Sequence, residues 1–175
     1  MSKDIVIGIG NILFSDDGIG VFTARVLKEH FSFSKDIEIV DGGTLGIGLV
    51  NYFSDYDNVL ILDTISLDDE VGAIYSFPSK KLLDMEGFKN TAHEVEVVDM
   101  LRSASLLEKC ADVKICAIVP NDIQTVSIGL SEDFKKFFPL FLDAAIKEIE
   151  KLGVEVTKKD DYDLDKIKEG FTKWN

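Results

Sequence analysis

One stretch constrains this chain more than any other: Ile5-Val6-Ile7-Gly8-Ile9-Gly10-Asn11-Ile12-Leu13-Phe14-Ser15-Asp16-Asp17-Gly18-Ile19-Gly20-Val21. Its apolar residues run on without alternation, as in a strand covered on both faces. Small residues and a short loop follow, and then two acids open a segment with helical spacing. Carboxylates in a first helical turn face free backbone amides and the positive end of the helix dipole, and Ser15 or Asp16 is the expected cap. Strand, tight turn and helix in that order belong to an open α/β sheet, which binds its ligands at the carboxyl ends of its strands. The stretch is therefore the predicted centre of the functional site.

The rest of the chain repeats the alternation. Ile19, Phe22, Val26, Leu27 and Phe31 share one side of a helix predicted from Asp17 to about Phe31. Further strands are expected at Ile37–Val40, Asn58–Ile65, Gly72–Phe77 and Val113–Val119, and helices at Leu45–Phe53, Glu94–Leu107 and Ser131–Leu152. Lys80–Asn90 reads as irregular. Pro139 either starts the main part of the last helix or kinks it, and Gly153 ends it. The pattern predicts a three-layer α/β sandwich: a mostly parallel five-stranded sheet with helices on both faces. Gly72–Phe77 follows its predecessor without a helix between them, which places it antiparallel at an edge. Residues 1–153 form the expected single domain. Residues 154–175 turn rich in Lys, Asp and Glu and form a charged C-terminal extension. A short strand and a marginal helix around Leu164–Phe171 are expected there, docked by Phe171 and Trp174 or else disordered.

With 175 residues and 46% hydrophobic content, the chain can bury one substantial core. A net charge of −13 argues against nucleic acid or an anionic membrane as partner, since both require clustered Lys and Arg. Such a charge first serves solubility, and it mildly favours a basic protein partner or a cation. No basic-then-apolar leader pattern opens the chain, and no apolar run approaches the ~20 residues of a membrane span; a cytoplasmic location is expected. Cys110 and Cys116 make no disulfide framework. Cys116 lies in a strand-like run as a buried, reduced thiol.

Three residues far apart in sequence fall on one predicted edge. Asp17 and Asp63 each follow a strand, and His93 precedes a helix. Two carboxylates and an imidazole suit a borderline divalent ion such as nickel, zinc or iron, and three protein ligands leave positions open for a substrate. Between the adjacent acids, Asp16 suits a cap better than a ligand. His30, late in the first helix, complements the dipole. Gly8-Ile9-Gly10 opens like a dinucleotide fingerprint, but Leu13 stands where the third glycine is needed. The chain has neither a serine-centred elbow nor a two-histidine zinc helix.

Gly8-Ile9-Gly10-Asn11-Ile12-Leu13 with Asp16-Asp17-Gly18-Ile19-Gly20 resembles the opening signature of the hydrogenase maturation endopeptidases. The resemblance continues through Asp41-Gly42-Gly43-Thr44, Leu60-Ile61-Leu62-Asp63, His93-Glu94-Val95, Val119-Pro120 and Gly129-Leu130-Ser131, and spans roughly residues 4–152. It implies a protease that trims the C-terminal extension from the large-subunit precursor of a nickel–iron hydrogenase after nickel insertion. It also implies a metal site of Asp17, Asp63 and His93, filled by nickel that the substrate brings and open to other divalent ions such as zinc or cadmium. Gly42, Gly43 and Thr44 would meet the substrate. Some family members carry Glu where this chain has Asp17, one methylene longer. No separate nucleophile is assigned. Two other readings compete: a metal-binding chaperone without peptidase activity, and a phospho-acceptor receiver domain. The latter would need a Lys after the fifth strand, where this chain reads Val119-Pro120-Asn121.

Overall fold

A computed structural model describes residues 2–84 and 92–172; the side chains of Ala92 and His93 also lie outside the described residues. The elements are, in order, β1 (Asp4–Ile9), α1 (Ile19–His30), β2 (Phe31–Phe33), β3 (Ile37–Gly43), α2 (Tyr52–Asp55), β4 (Asn58–Thr64), β5 (Ile74–Pro78), α3 (Ser79–Asp84), α4 (Ala92–Ala104), β6 (Asp112–Ile118), α5 (Glu132–Lys135), α6 (Phe138–Lys151), β7 (Val156–Lys158) and α7 (Leu164–Thr172). Short 3-10 turns at Ser15–Gly18 and Gly46–Leu49 precede α1 and α2.

The main sheet has the order β3-β1-β4-β6-β5, with β1 parallel to β3 and β4, β4 parallel to β6, and β5 antiparallel at the edge. This is the predicted sandwich. From β1 the chain first moves outward to β3 and then returns past β1 to β4. The topological switch point therefore lies between the carboxyl ends of β1 and β4, where open α/β sheets leave a crevice.

Two apolar layers flank the sheet. Val6, Leu60, Leu62 and Cys116 face α1 and α6 on one side; Ile5, Ile7, Ile61 and Ile115 face α2 and α4 on the other. Burial on both faces explains the unbroken apolar runs of β1 and β4. Helix α1 lies close against the sheet because Gly20 has no side chain: a Cβ there would meet the carbonyl oxygens of Leu62 at 2.1 Å and Ile9 at 2.3 Å. The predicted inward residues of α6, Phe138, Phe141, Ala145 and Ile149, are buried.

Several local expectations are corrected. The helix expected from Asp17 begins at Ile19, because Ser15–Gly18 forms a 3-10 turn. Neither Ser15 nor Asp16 caps it, since both are drawn into other bonds and Gly18 occupies the cap position. The strand expected at Ile37–Val40 continues to Gly43, paired with β1 across a register shift between Gly8 and Ile9. Of Lys80–Asn90, expected to be irregular, residues 80–84 belong to the helix Ser79–Asp84, and residues 85–90 lie outside the described residues. The helix expected over Ser131–Leu152 is two, α5 and α6, and Pro139 starts the second rather than kinking it.

After Gly153, whose φ of +76° lets the chain leave the helix, Val154 and Ile167 are buried in the α1/α6 core. β7 pairs antiparallel with β2, a three-residue strand that sequence spacing did not reveal. The α7 ring of Phe171 packs on Phe22 at 5.1 Å and beneath the Arg25 guanidinium at 4.7 Å. Trp174, the other expected anchor, lies outside the described residues.

Candidate functional site

The turn that carries Asp17 is built by its own polar groups. Gly10 leaves β1 with φ +139° and passes so close to the turn that a Cβ would sit 1.9 Å from the carbonyl oxygen of Asp17. The next residue, Asn11, donates its backbone N–H to Asp17 Oδ2 at 2.9 Å, and its side-chain oxygen accepts from Leu13 N–H at 3.0 Å. Asp17 N–H donates to the Phe14 carbonyl at 3.1 Å. Ser15 holds φ +51°, unusual for a residue with a Cβ. It does so because its N–H donates to the Ser127 carbonyl at 2.9 Å, which pins the turn to the loop after β6.

Asp16 is fully buried and serves that same junction. Its Oδ1 accepts from Ser131 N–H at 2.7 Å, and its Oδ2 from Asp122 N–H at 2.9 Å and the Ser131 hydroxyl at 3.0 Å. Its own N–H donates to the Asp122 carbonyl at 2.9 Å. A buried carboxylate with this many donors is a structural tie. The adjacent acids are thus separated in role: Asp16 turns into the β6 loop, and Asp17 stays at the strand ends.

Asp63 is the penultimate residue of β4, across the switch point from Asp17. Thr64 joins the two carboxylates. Its N–H donates to Asp63 Oδ1 at 2.7 Å, and its hydroxyl to Asp17 Oδ1 at 3.2 Å. Both Asp17 and Asp63 are buried. Carboxylates oriented in this way by neighbouring donors are what a metal site requires of its oxygen ligands.

The third expected ligand, His93, is the second residue of α4. Its side chain lies outside the described residues, but its backbone position is fixed from the next residue. Glu94 is buried and accepts from Ser66 N–H at 2.9 Å, which ties the start of α4 to the chain just beyond β4. The helix therefore begins at the edge that holds Asp63.

Gly42 and Gly43 end β3, and Gly43 accepts from Gly10 N–H at 3.0 Å, so the Asp41–Thr44 segment borders the Asp17 turn. Gly43 N–H donates to Asp41 Oδ1 at 3.0 Å. Partial desolvation lifts the Asp41 carboxyl above the usual carboxylate range, a shift that this amide opposes. Cys116 is buried in β6, and burial pushes its thiol up to about 12, so it offers no thiolate for chemistry.

Sequence reasoning did not single out Thr64 or Glu94. Glu94 left a signal, since it falls on the same helical face as Val97, Val98 and Leu101, all buried. Thr64 left none beyond its place beside Asp63.

Comparison with known proteins bears on what such an edge does. Residues 21–148 match the family model HycI, hydrogenase maturation protease. The hydrogenase 2 maturation protease of Escherichia coli is 24% identical over 158 residues, which cover 89% of this chain and 96% of that protein. The hydrogenase expression/formation protein HupD of Rhizobium leguminosarum is 25% identical over 157 residues, covering 89% and 78%. Among solved structures, the hydrogenase maturating endopeptidase HybD of E. coli superposes with a TM-score of 0.81 at 23% identity, over 90% of this chain and 98% of that one. The HybD protease of Thermococcus kodakarensis gives 0.67 at 24% identity, over 83% and 98%. These two structural likenesses establish the shared fold.

Proposed function

The chain belongs to the hydrogenase maturation protease family, and from that premise we propose that it cuts the C-terminal extension from a nickel–iron hydrogenase large-subunit precursor after nickel insertion. The observation that carries this reading is the pairing of Asp17 and Asp63 through Thr64 at the switch point. The Glu94–Ser66 bond, which ties the start of α4 to the chain beyond β4, supports His93 as the third member.

In this reading the nickel belongs to the substrate. The precursor holds it, and Asp17, Asp63 and His93 supply oxygen and nitrogen ligands from the protease side. These donor types match a borderline divalent ion; zinc or cadmium would fit the same set. A precursor without nickel offers no ion for the three side chains to bind, so cleavage reports that the metal is in place. An ion held beside the scissile peptide can polarise its carbonyl or lower the pKa of a bound water. The chain's own residues bind and orient: Thr64 and Asn11 fix the carboxylates, Asp16 fixes the turn that bears Asp17, and Gly42, Gly43 and Thr44 border the substrate path. Among the described residues no helix is long and apolar enough to cross a membrane, and a cytoplasmic location fits a substrate still undergoing maturation.

Asp63→Asn and His93→Ala test the assignment. Each should abolish trimming while the far-ultraviolet circular dichroism stays that of the wild type. Normal trimming by either variant would remove that residue from the site.

A further inference from the structure

The loop that fixes the Asp17 turn is itself braced from outside. Gly129-Leu130-Ser131 ends the loop after β6, and Ser131 gives Asp16 its N–H at 2.7 Å and its hydroxyl at 3.0 Å. Gly129 holds φ +101°, and Lys168 of α7 lies against it: a Cβ on Gly129 would sit 2.9 Å from Lys168 Cδ, 3.4 Å from Cε and 3.5 Å from Nζ. The nearest atoms are methylene carbons of a half-buried side chain, as in a lysine that packs its stem and keeps its ammonium group in water.

The brace is anchored along its length. Asp163 caps α7, its Oδ1 accepting from Asp165 N–H at 2.9 Å. Asp165 in turn meets Lys135 Nζ at 3.2 Å, and Lys135 belongs to α5, which starts directly after Ser131. Ile167 is buried in the same apolar layer as Leu130, the neighbour of Gly129. At the far end Phe171 and Arg25 hold the helix on α1. From Lys168 the route to the site is short and continuous. Ser131 binds Asp16 on one side of Gly129, and on the other Ser127 accepts from Ser15 N–H at 2.9 Å. Asp17 is the next residue, with its Oδ2 on Asn11 N–H. The positive φ of Ser15 makes this turn depend on bonds from outside it.

We propose that Lys168 is a positioning residue for the protease site. By packing on Gly129 it lets α7 hold the loop after β6 in the form that ties down Asp16, and so sets where Asp17 points. The tail that follows Gly153 thereby becomes a working part of the site, although α7 starts at Leu164 and the match to the family model ends at residue 148. The effect on trimming rests on the protease reading above; the structural step, from Lys168 to the Asp17 turn, needs no substrate and can be measured without one.

Amide hydrogen exchange on the full chain, followed residue by residue by NMR, tests that step. The amides of Ser131 and Asp122 donate to Asp16, and that of Asn11 to Asp17. In Lys168→Ala these three should exchange roughly fivefold faster, while those of Ile7 and Ile61, in the buried centre of the sheet, keep the wild-type rate. Lys168→Met, which retains an unbranched apolar stem, should restore slow exchange. Lys166→Ala, at an exposed position on the same helix, should leave it unchanged. On a nickel-loaded large-subunit precursor, kcat/KM should fall by a similar factor in Lys168→Ala and recover in Lys168→Met. Wild-type exchange at the three amides of Lys168→Ala would overturn the positioning role. So would faster exchange spread equally over the sheet, no recovery with methionine, or an unchanged kcat/KM. A wild-type chain that trims no precursor would overturn the protease reading instead, and the exchange pattern would still decide whether α7 braces the loop.

Discussion

The hydroxyl of Thr64 donates to Oδ1 of Asp17 across 3.2 Å and 47 residues of sequence. Because the amide of Thr64 donates to Asp63 at 2.7 Å, one residue sets the relation between the two carboxylates. Thr64→Val keeps the shape and the amide but removes the hydroxyl. It should cost about 1 kcal/mol of stability and lower kcat/KM on nickel-loaded precursor roughly tenfold through misorientation of Asp17. Thr64→Ser should recover most of the activity. Thermal denaturation alongside the cleavage assay checks both numbers, and an unchanged kcat/KM for the valine variant would show that the hydroxyl is not needed.

Asp16 should matter for stability through its ties to the loop after β6. Asp16→Ala leaves the amides of Asp122 and Ser131, and the Ser131 hydroxyl, without the acceptor they share. Stranding the three donors of these part-buried bonds costs about 2 kcal/mol or more, so the urea midpoint should fall. Asp17→Ala also strands donors, the Asn11 amide and the Thr64 hydroxyl, and should lower the midpoint in its own right.

Gly20 is the point where α1 meets the sheet. Gly20→Ala brings a methyl group within 2.1 Å of the Leu62 carbonyl oxygen and 2.3 Å of that of Ile9, contacts that only a shift of the helix can relieve. A loss of about 3 kcal/mol or more is expected. Asp17 would move away from Asp63, so trimming should fail even at temperatures where the variant remains folded by circular dichroism.

Glu148 gives the pH dependence a sign. Burial of its carboxyl opposes ionisation, yet the ammonium groups of Lys114 at 2.8 Å and Lys151 at 2.6 Å outweigh it and hold the group below the ordinary 4.5. A depressed folded value adds stability above the unfolded value and loses it as pH falls through the folded one. Glu148→Gln should therefore be less stable than wild type near about pH 7, by roughly 1 kcal/mol after allowing for the exposure of both lysines. The gap should narrow as pH drops below about 4. Urea unfolding of both proteins across that range measures it; a gap that widens on acidification would contradict the ion-pair account.

The architecture was legible because β1 and β4 announce themselves as unbroken apolar runs and α1 and α6 as amphipathic ones. These are signals of burial, and burial is what the fold optimises. The missed pieces obey other rules. β2 exists because β7 pairs with it, a long-range partnership that leaves no local period. The 3-10 turn at Ser15–Gly18 replaces the first turn of the expected helix because Asp16 is drawn toward Asp122 and Ser131 instead of capping. At the site, Asp17 and Asp63 were visible as charges that end apolar runs. Thr64, which relates them, was not, because a threonine within a strand is ordinary β composition.

The central claim is that Asp17, Asp63 and His93 act together on an ion that the precursor carries. Its most direct test is the intact mass of a hydrogenase large-subunit precursor after incubation with this protein, in nickel-loaded and nickel-free form. The account predicts loss of the C-terminal extension from the nickel-loaded precursor alone, and from neither form with Asp63→Asn. Equal trimming of both forms, or trimming by the variant, would contradict it.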